Sequence, residues 1–234
     1  VGISLGKKPL VFISRGFLFI DIFLLIFFPF LIYFARLSPI FVFMQASIYK
    51  HVSEYINLTA EEKSFFFSLL TPLSLNKKEN LIEANEAVDA QYFVVEGCLK
   101  AYELDEQGQE HIIQFAIEDW WISDFKAFYR QEKSSLYIEC IEDTKLLKIT
   151  KSDLEELFVQ VPKFNRFFRI KLTNAFLSMQ DRILGALDKN SAERYLDFLK
   201  SYPNIEQRVP NYLIANYLGI KPESLSRLRR NLAK

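Results

Sequence analysis

The sequence predicts an α+β chain: a β-roll (jelly-roll-like) domain, a long dimerisation helix and a C-terminal helix-turn-helix domain. Three observations carry this. Short runs rich in Val, Ile, Tyr and Phe, punctuated by turn residues, fill the stretch from Leu75 to Ile149. Helical periodicity then runs from Phe164 to Leu187 with no Pro and no Gly before Gly185. Two amphipathic segments flanking Gly219 close the chain. The boundaries read as 1–43 for a hydrophobic extension, 44–150 for the roll, 151–190 for the connecting helix and 191–234 for the helix-turn-helix.

Residues 1–43 stand apart, holding ten of the 23 Phe. The twenty residues Gly16–Ala35 are largely apolar and lie between Arg15 and Arg36, long enough to span a bilayer, although Asp21 and Pro29 interrupt them. A membrane anchor over 16–35, an uncleaved signal-like segment and upstream sequence that is not translated in the cell all remain open. The last is the expectation, because the first Met is Met44 and the soluble pattern starts directly after it. The basic flank, Lys7, Lys8 and Arg15, is compatible with a cytoplasmic N-terminus, which would put the C-terminal helices on the far side of the membrane from DNA.

Residues 45–70 read as helical, with Thr59 as an N-cap and Glu62 completing a capping box. Tyr92–Val95 is a strand that stops at Glu96-Gly97. Leu99–Leu104 and His111–Phe115 pair as a hairpin around Gly108, and Leu136–Ile141 and Lys145–Ile149 add two more strands. Lys151–Phe158 forms a short helix ending before Pro162. In the long helix, Leu172, Phe176, Met179, Ile183 and Ala186 follow a 4-3-4-3 spacing, the seam of a two-helix coiled coil. A helix of ~24 residues is ~36 Å long, more than one small roll covers, so the seam is expected to join two copies of the chain.

Asn190 or Ser191 caps the next helix, with Tyr195, Phe198 and Leu199 inward. Then Ile214, small Ala215 and Leu218 form the inner face of one helix, Gly219 supplies the turn, and Ile220 plugs it. Pro222 and Glu223 suit the first turn of the second helix, whose Leu225, Leu228 and Leu232 point inward. Residues 221–234 hold five basic groups and one acid.

Net charge is zero, but it is unevenly spread: residues 1–43 carry +3, residues 44–190 carry −7 and residues 191–234 carry +4. Only the C-terminal end is suited to a polyanion. The two cysteines, Cys98 and Cys140, and two histidines, His51 and His111, assemble no metal-site spacing, and no disulfide is demanded. No nucleophile–base pair or Gly-rich phosphate loop supports an enzyme, so no catalytic residue and no metal ligand is assigned.

The segments Tyr92-Phe-Val-Val-Glu-Gly97, Leu99–Leu104 and Glu139–Thr144 resemble the cyclic-nucleotide-binding domain of the Crp/Fnr regulators. In that family a Gly-Glu pair meets the ribose, and an Arg-Ser pair with neighbouring N–H groups meets the phosphate. Here Ile117–Asp124 has no glycine and Glu132-Lys-Ser-Ser135 has no Arg; Lys133 supplies charge but not a fork. The resemblance therefore implies a ligand pocket around Glu118, Asp119, Trp120, Lys133, Ser134 and Ser135, but cyclic AMP is not the expected effector. No cofactor is assigned, and the small-molecule effector is unknown. Trp120 and Trp121 equally suit filling or rimming the roll. An iron–sulfur member needs several N-terminal cysteines, and none is there.

The segment from Val209 to Leu232 resembles the Crp/Fnr helix-turn-helix. The resemblance implies base reading by Glu223, Ser224, Ser226 and Arg227, with Arg suited to guanine and Glu to a cytosine amino group. Lys221, Arg229, Arg230 and Lys234 are then phosphate contacts. Pro222 stands where the family often has an Arg. The implied partners are a near-palindromic double-stranded DNA operator, a second copy of the chain and, for an activator, RNA polymerase, in the cytoplasm. The alternative is a membrane-tethered ligand-binding module whose basic tail meets lipid headgroups.

Overall fold

A computed structural model describes residues 39–232. The 16–35 segment and Lys234 lie outside these residues. The chain divides after Val42 into two units, of which only the first turn of α1 is described in the first; the account below concerns the unit from Phe43 onward.

Helix α1 (Pro39–Ser53) and α2 (Ala60–Ser68) lead into the sheets. The capping box at α2 is formed: Glu62 N–H donates to Thr59 Oγ1 at 3.2 Å, and Thr59 N–H donates to Glu62 Oε2 at 2.8 Å. Eight strands follow: β1 (Thr71–Leu75), β2 (Asn80–Ile82), β3 (Ala90–Glu96), β4 (Leu99–Leu104), β5 (Glu110–Ala116), β6 (Trp121–Ile122), β7 (Tyr137–Cys140) and β8 (Thr144–Thr150). They form two four-stranded sheets, ordered β1-β8-β3-β6 and β2-β7-β4-β5, with antiparallel pairing throughout. Strand β3 is buried at six of its seven positions, which is why it reads as an unbroken apolar run rather than an alternation.

The chain passes from one sheet to the other through Gly97-Cys98. Gly97 has φ +119°, and a Cβ there would lie 2.4 Å from Thr144 Oγ1. The β4–β5 hairpin turns where expected: Gly108 has φ +77°, and Asp105 Oδ1 accepts from Gln107 and Gln109 N–H at 2.9 and 2.8 Å. Helix α3 (Phe125–Arg130) follows β6, and α4 (Lys151–Gln160) follows β8, capped by Thr150.

Helix α5 (Lys163–Asp188) buries the aromatic residues of its first turns and, near its end, Gly185. Phe164, Phe167 and Phe168 pack among Phe66, Trp121 and Phe158, whereas every residue from Leu172 to Leu184 is exposed. Two helices and a terminal pair follow: α6 (Ser191–Ser201), α7 (Ile205–Arg208), α8 (Asn211–Leu218) and α9 (Pro222–Leu232). Asn190 is the cap of α6, accepting from Ala192 and Glu193 N–H at 2.9 and 3.1 Å.

His51 of α1 sits among Tyr55, Phe93 and Phe167, and its Nε2 has no hydrogen-bond partner among the described residues. Burial, helped by the Lys171 cation, holds its pKa down to about 4. The unfolded chain binds a proton here below ~6.5 while the folded chain does not until about 4, so this site's stability is complete above that range and drains as pH falls through it. We expect the site to cost the fold ~3 kcal/mol by pH 4. Urea midpoints for the parent and His51→Leu at pH 7 and pH 4 check this: the variant should lose visibly less stability on acidification, and parallel losses would rule the assignment out.

Candidate nucleic-acid interface

The helix pair α8–α9 is built from its inner face outward. Leu213, Ile214, Ala215 and Leu218 are buried on α8, and Leu225 is wholly buried on α9. Ala215 carries no bulk, which lets α9 approach closely. Gly219 takes the left-handed conformation, φ +66°, and Ile220 N–H returns to Ala215 C=O at 3.0 Å, so the turn closes on the end of α8. Ser224 and Leu225 N–H donate to Lys221 C=O at 2.9 and 3.1 Å, starting α9. Leu228 is half-buried, and Leu232 is exposed rather than inward, because the core it was expected to meet ends at Leu228.

The outer face of α9 presents Glu223, Ser226, Arg227 and Arg230 to solvent, with Lys221 exposed just ahead of the helix and Ser224 half-buried. Arg229 stands differently. It pairs with Glu206 at 2.8 Å, donates to the Tyr195 hydroxyl at 2.9 Å and also bonds Asn211. Its charge is tied to α6, α7 and α8, so it braces the helix pair rather than projecting from it.

The helix pair does not hang free. One apolar core joins it to the roll, with Cys98, Tyr102, Ile112 and Phe115 on one side and Phe198, Tyr202, Ile214 and Leu218 on the other. Trp120 stacks on Tyr202 with centroids 5.1 Å apart. Asn216 closes on the outer strand: Ile112 N–H donates to Asn216 Oδ1 at 2.9 Å, and Asn216 Nδ2 donates to Glu110 C=O at 2.6 Å. Arg208 meets two acids of the roll, Glu118 at 2.8 Å and Glu142. The Arg208 side chain and the Gly97 N–H hold Glu118 below its usual pKa against the opposing effect of burial. None of these contacts has a local signature. Arg208 is 90 residues from Glu118, and Asn216 is 104 from Ile112.

The residues expected to form a ligand pocket have divergent partners. Glu118 and Trp120 face the C-terminal helices, as above. Asp119 has φ +67°, and burial raises its carboxyl. Lys133 is exposed and bridges Ala87 through its backbone. Ser134 and Ser135 serve an acid that was not singled out: Asp124, 3% exposed, accepts from Ser134 Oγ at 2.9 Å, Ser135 N–H at 3.2 Å and Ala127 N–H at 3.0 Å. On α5, Leu172, Phe176, Met179, Ile183 and Ala186 are all exposed within one chain. Among the described residues no group of three or more His, Cys, Asp or Glu could hold a metal, and no helix is long and apolar enough to cross a membrane.

A two-sheet roll joined through a projecting helix to a helix-turn-helix defines a class of two-part proteins, and comparisons with known proteins give its relatives. Residues 72–160 match the cyclic nucleotide-binding domain. Electron transport regulator A of Shewanella oneidensis is 26% identical over 165 residues, covering 66% of this chain and 65% of that protein. The fumarate and nitrate reduction regulatory protein of Vibrio cholerae is 26% identical over the same length, with the same coverages. The chain thus spans about 65% of the length of these curated relatives. The structure of FixK2 from Bradyrhizobium japonicum has the same fold, with a TM-score of 0.60 at 22% identity over 70% of this chain and 84% of that one. The chain is thus similar to a cyclic nucleotide-binding domain over residues 72–160 and, over 165 residues, to regulators of the Crp/Fnr type.

Proposed function

We propose that this chain is a sequence-specific DNA-binding transcription regulator, not an enzyme, acting in the cytoplasm as a homodimer. The observation that carries this reading is α9: its inner face is fixed by Leu225, while Glu223, Ser226 and Arg227 stand exposed beside Lys221 and Arg230. Pairing two copies through the exposed α5 stripe presents two such helices to successive major grooves, ~34 Å apart, so the operator is near-palindromic. Arg227 reads a guanine and Glu223 a cytosine amino group, with Ser224 and Ser226 beside them. Lys221, Arg230 and Lys234 hold phosphates. An activator would also meet RNA polymerase.

The effector of the roll is not cyclic AMP. A buried cyclic phosphate needs a fixed cation and free donors. Here Lys133 is exposed, and the Ser134 hydroxyl and Ser135 N–H are taken by the Asp124 carboxylate. A second anion at that place would meet Asp124 at close range. The residues present do not fit the nucleotide.

The reading is tested with a selected palindromic operator in a gel shift across salt concentrations. Arg227→Ala is expected to weaken binding by ~1–3 kcal/mol and to relax selectivity at one base pair of each half-site. Unchanged affinity and selectivity in that variant would remove α9 as the reading helix.

A further inference from the structure

The hairpin strand β5, the C-terminal half of α5 and the helices α6 and α8 line an open cavity of about 1100 Å³. Its charged lining comprises four cations, Arg182, Lys189, Arg194 and Lys200, against two acids, Asp181 and Asp197, a net +2. Asp197 is already taken by both lysines, at 2.9 and 3.2 Å. The two arginines meet only uncharged acceptors among these contacts. Arg182 donates to the carbonyls of Ile113 and Ile112 and lies over the Tyr217 ring, 4.1 Å from its centroid. Arg194 donates to the carbonyls of Lys189 and Leu218 at 3.0 and 3.4 Å. Among the described residues, neither guanidinium has a carboxylate within 4.0 Å.

Carbonyls orient a guanidinium without neutralising it. Each arginine has five N–H donors and spends two on these bonds. Two oriented, uncompensated cations in a concave wall make a standing positive potential. The remaining donors suit the paired oxygens of a phosphate group. Junctions between domains are also a preferred place for small-molecule sites, and the volume is of that order.

We propose that this cavity binds a small phosphate-bearing anion. Most of the α5 wall lies away from the apolar stripe: Asp181 comes nine residues after Leu172, a rotation of about 900° on an α-helix, and Ala186, at the end of the stripe, is the one stripe residue that also lines the cavity. Because roll, connecting helix and helix-turn-helix all contribute walls, a bound anion ties the three together, and its occupancy couples to the placement of α9. The binding itself does not depend on the DNA reading and is measured without DNA.

The probe is inorganic pyrophosphate, titrated calorimetrically into the full chain at fixed ionic strength. Saturable binding of one anion per chain is expected, weakened at least ten-fold by Arg182→Gln and by Arg194→Gln. A footprint on the unmutated protein guards against a misfolded variant. Pyrophosphate should protect Arg182 and Arg194 from phenylglyoxal while Arg227 and Arg230 react as before. No saturable binding, or protection confined to Arg227 and Arg230, overturns the proposal.

Discussion

Replacing Gly97 with Ala is expected to destabilise the fold by ~3–5 kcal/mol, combining left-handed backbone strain with an overpacked contact. The added methyl would lie 2.4 Å from Thr144 Oγ1 and 2.7 Å from Thr144 Cα. The hydroxyl could rotate away, but the Cα belongs to the first residue of β8, a strand paired on both sides. The backbone also resists, because φ is +119°. Relief requires moving the crossing between the two sheets. That movement carries the Gly97 N–H, 2.9 Å from Glu118 Oε1, and with it the acid that holds Arg208. Urea unfolding of the variant checks this; a loss under 1 kcal/mol would mean the crossing is more plastic than its geometry indicates.

The second large effect concerns the α5 stripe. Phe176 and Ile183 are 60% and 57% exposed in a single chain, so replacing both with Glu removes no intrachain core. The expected result is a folded monomer whose thermal midpoint no longer depends on protein concentration. DNA affinity should fall by a factor of ~10²–10⁴, because each half-site then binds without the effective concentration supplied by its mate. Sedimentation reads the first outcome and a gel shift on the full operator the second. A double variant that stays dimeric with parental affinity would move the dimer contact off α5.

These two predictions start from features of different legibility. The stripe was readable because helical period and residue type coincide in one continuous stretch, and the capping boxes at Thr59 and Asn190 and the Gly219 turn were readable for the same reason. The corner at Gly97 was not, since the atom that forbids a side chain there belongs to Thr144, 47 positions later. Strand β1 was missed because it is short, carries Pro72 and is defined by a partner far along the chain, Thr71 opposite Lys148. Pro is tolerated there because β1 is an outer strand of its sheet. Strand β6 has two residues, too few to show a period.

The candidate DNA face was legible as a pattern of inward and outward positions on α9. Its one reassigned member, Arg229, looks on the sequence like its neighbours Arg227 and Arg230. Only the fold brings Glu206, Tyr195 and Asn211 to it. The pocket residues failed to converge for a related reason: chain proximity put Glu118 and Trp120 together with Asp119, but their partners come from the C-terminal helices.

The contact made by Asn216 bears on solubility. Strand β5 is the outer strand of its sheet, and Asn216 engages one of its free N–H groups and one of its free carbonyls, as a neighbouring strand would. An uncovered strand edge is a template for pairing with other chains. Any rearrangement that swings α8 away from the roll therefore exposes a sticky edge together with the apolar faces of Ile112 and Phe115. Docking of the helix-turn-helix serves as a guard against self-association, and variants that loosen it, at Asn216 or Arg208, should be recognised first by aggregation rather than by altered DNA recognition.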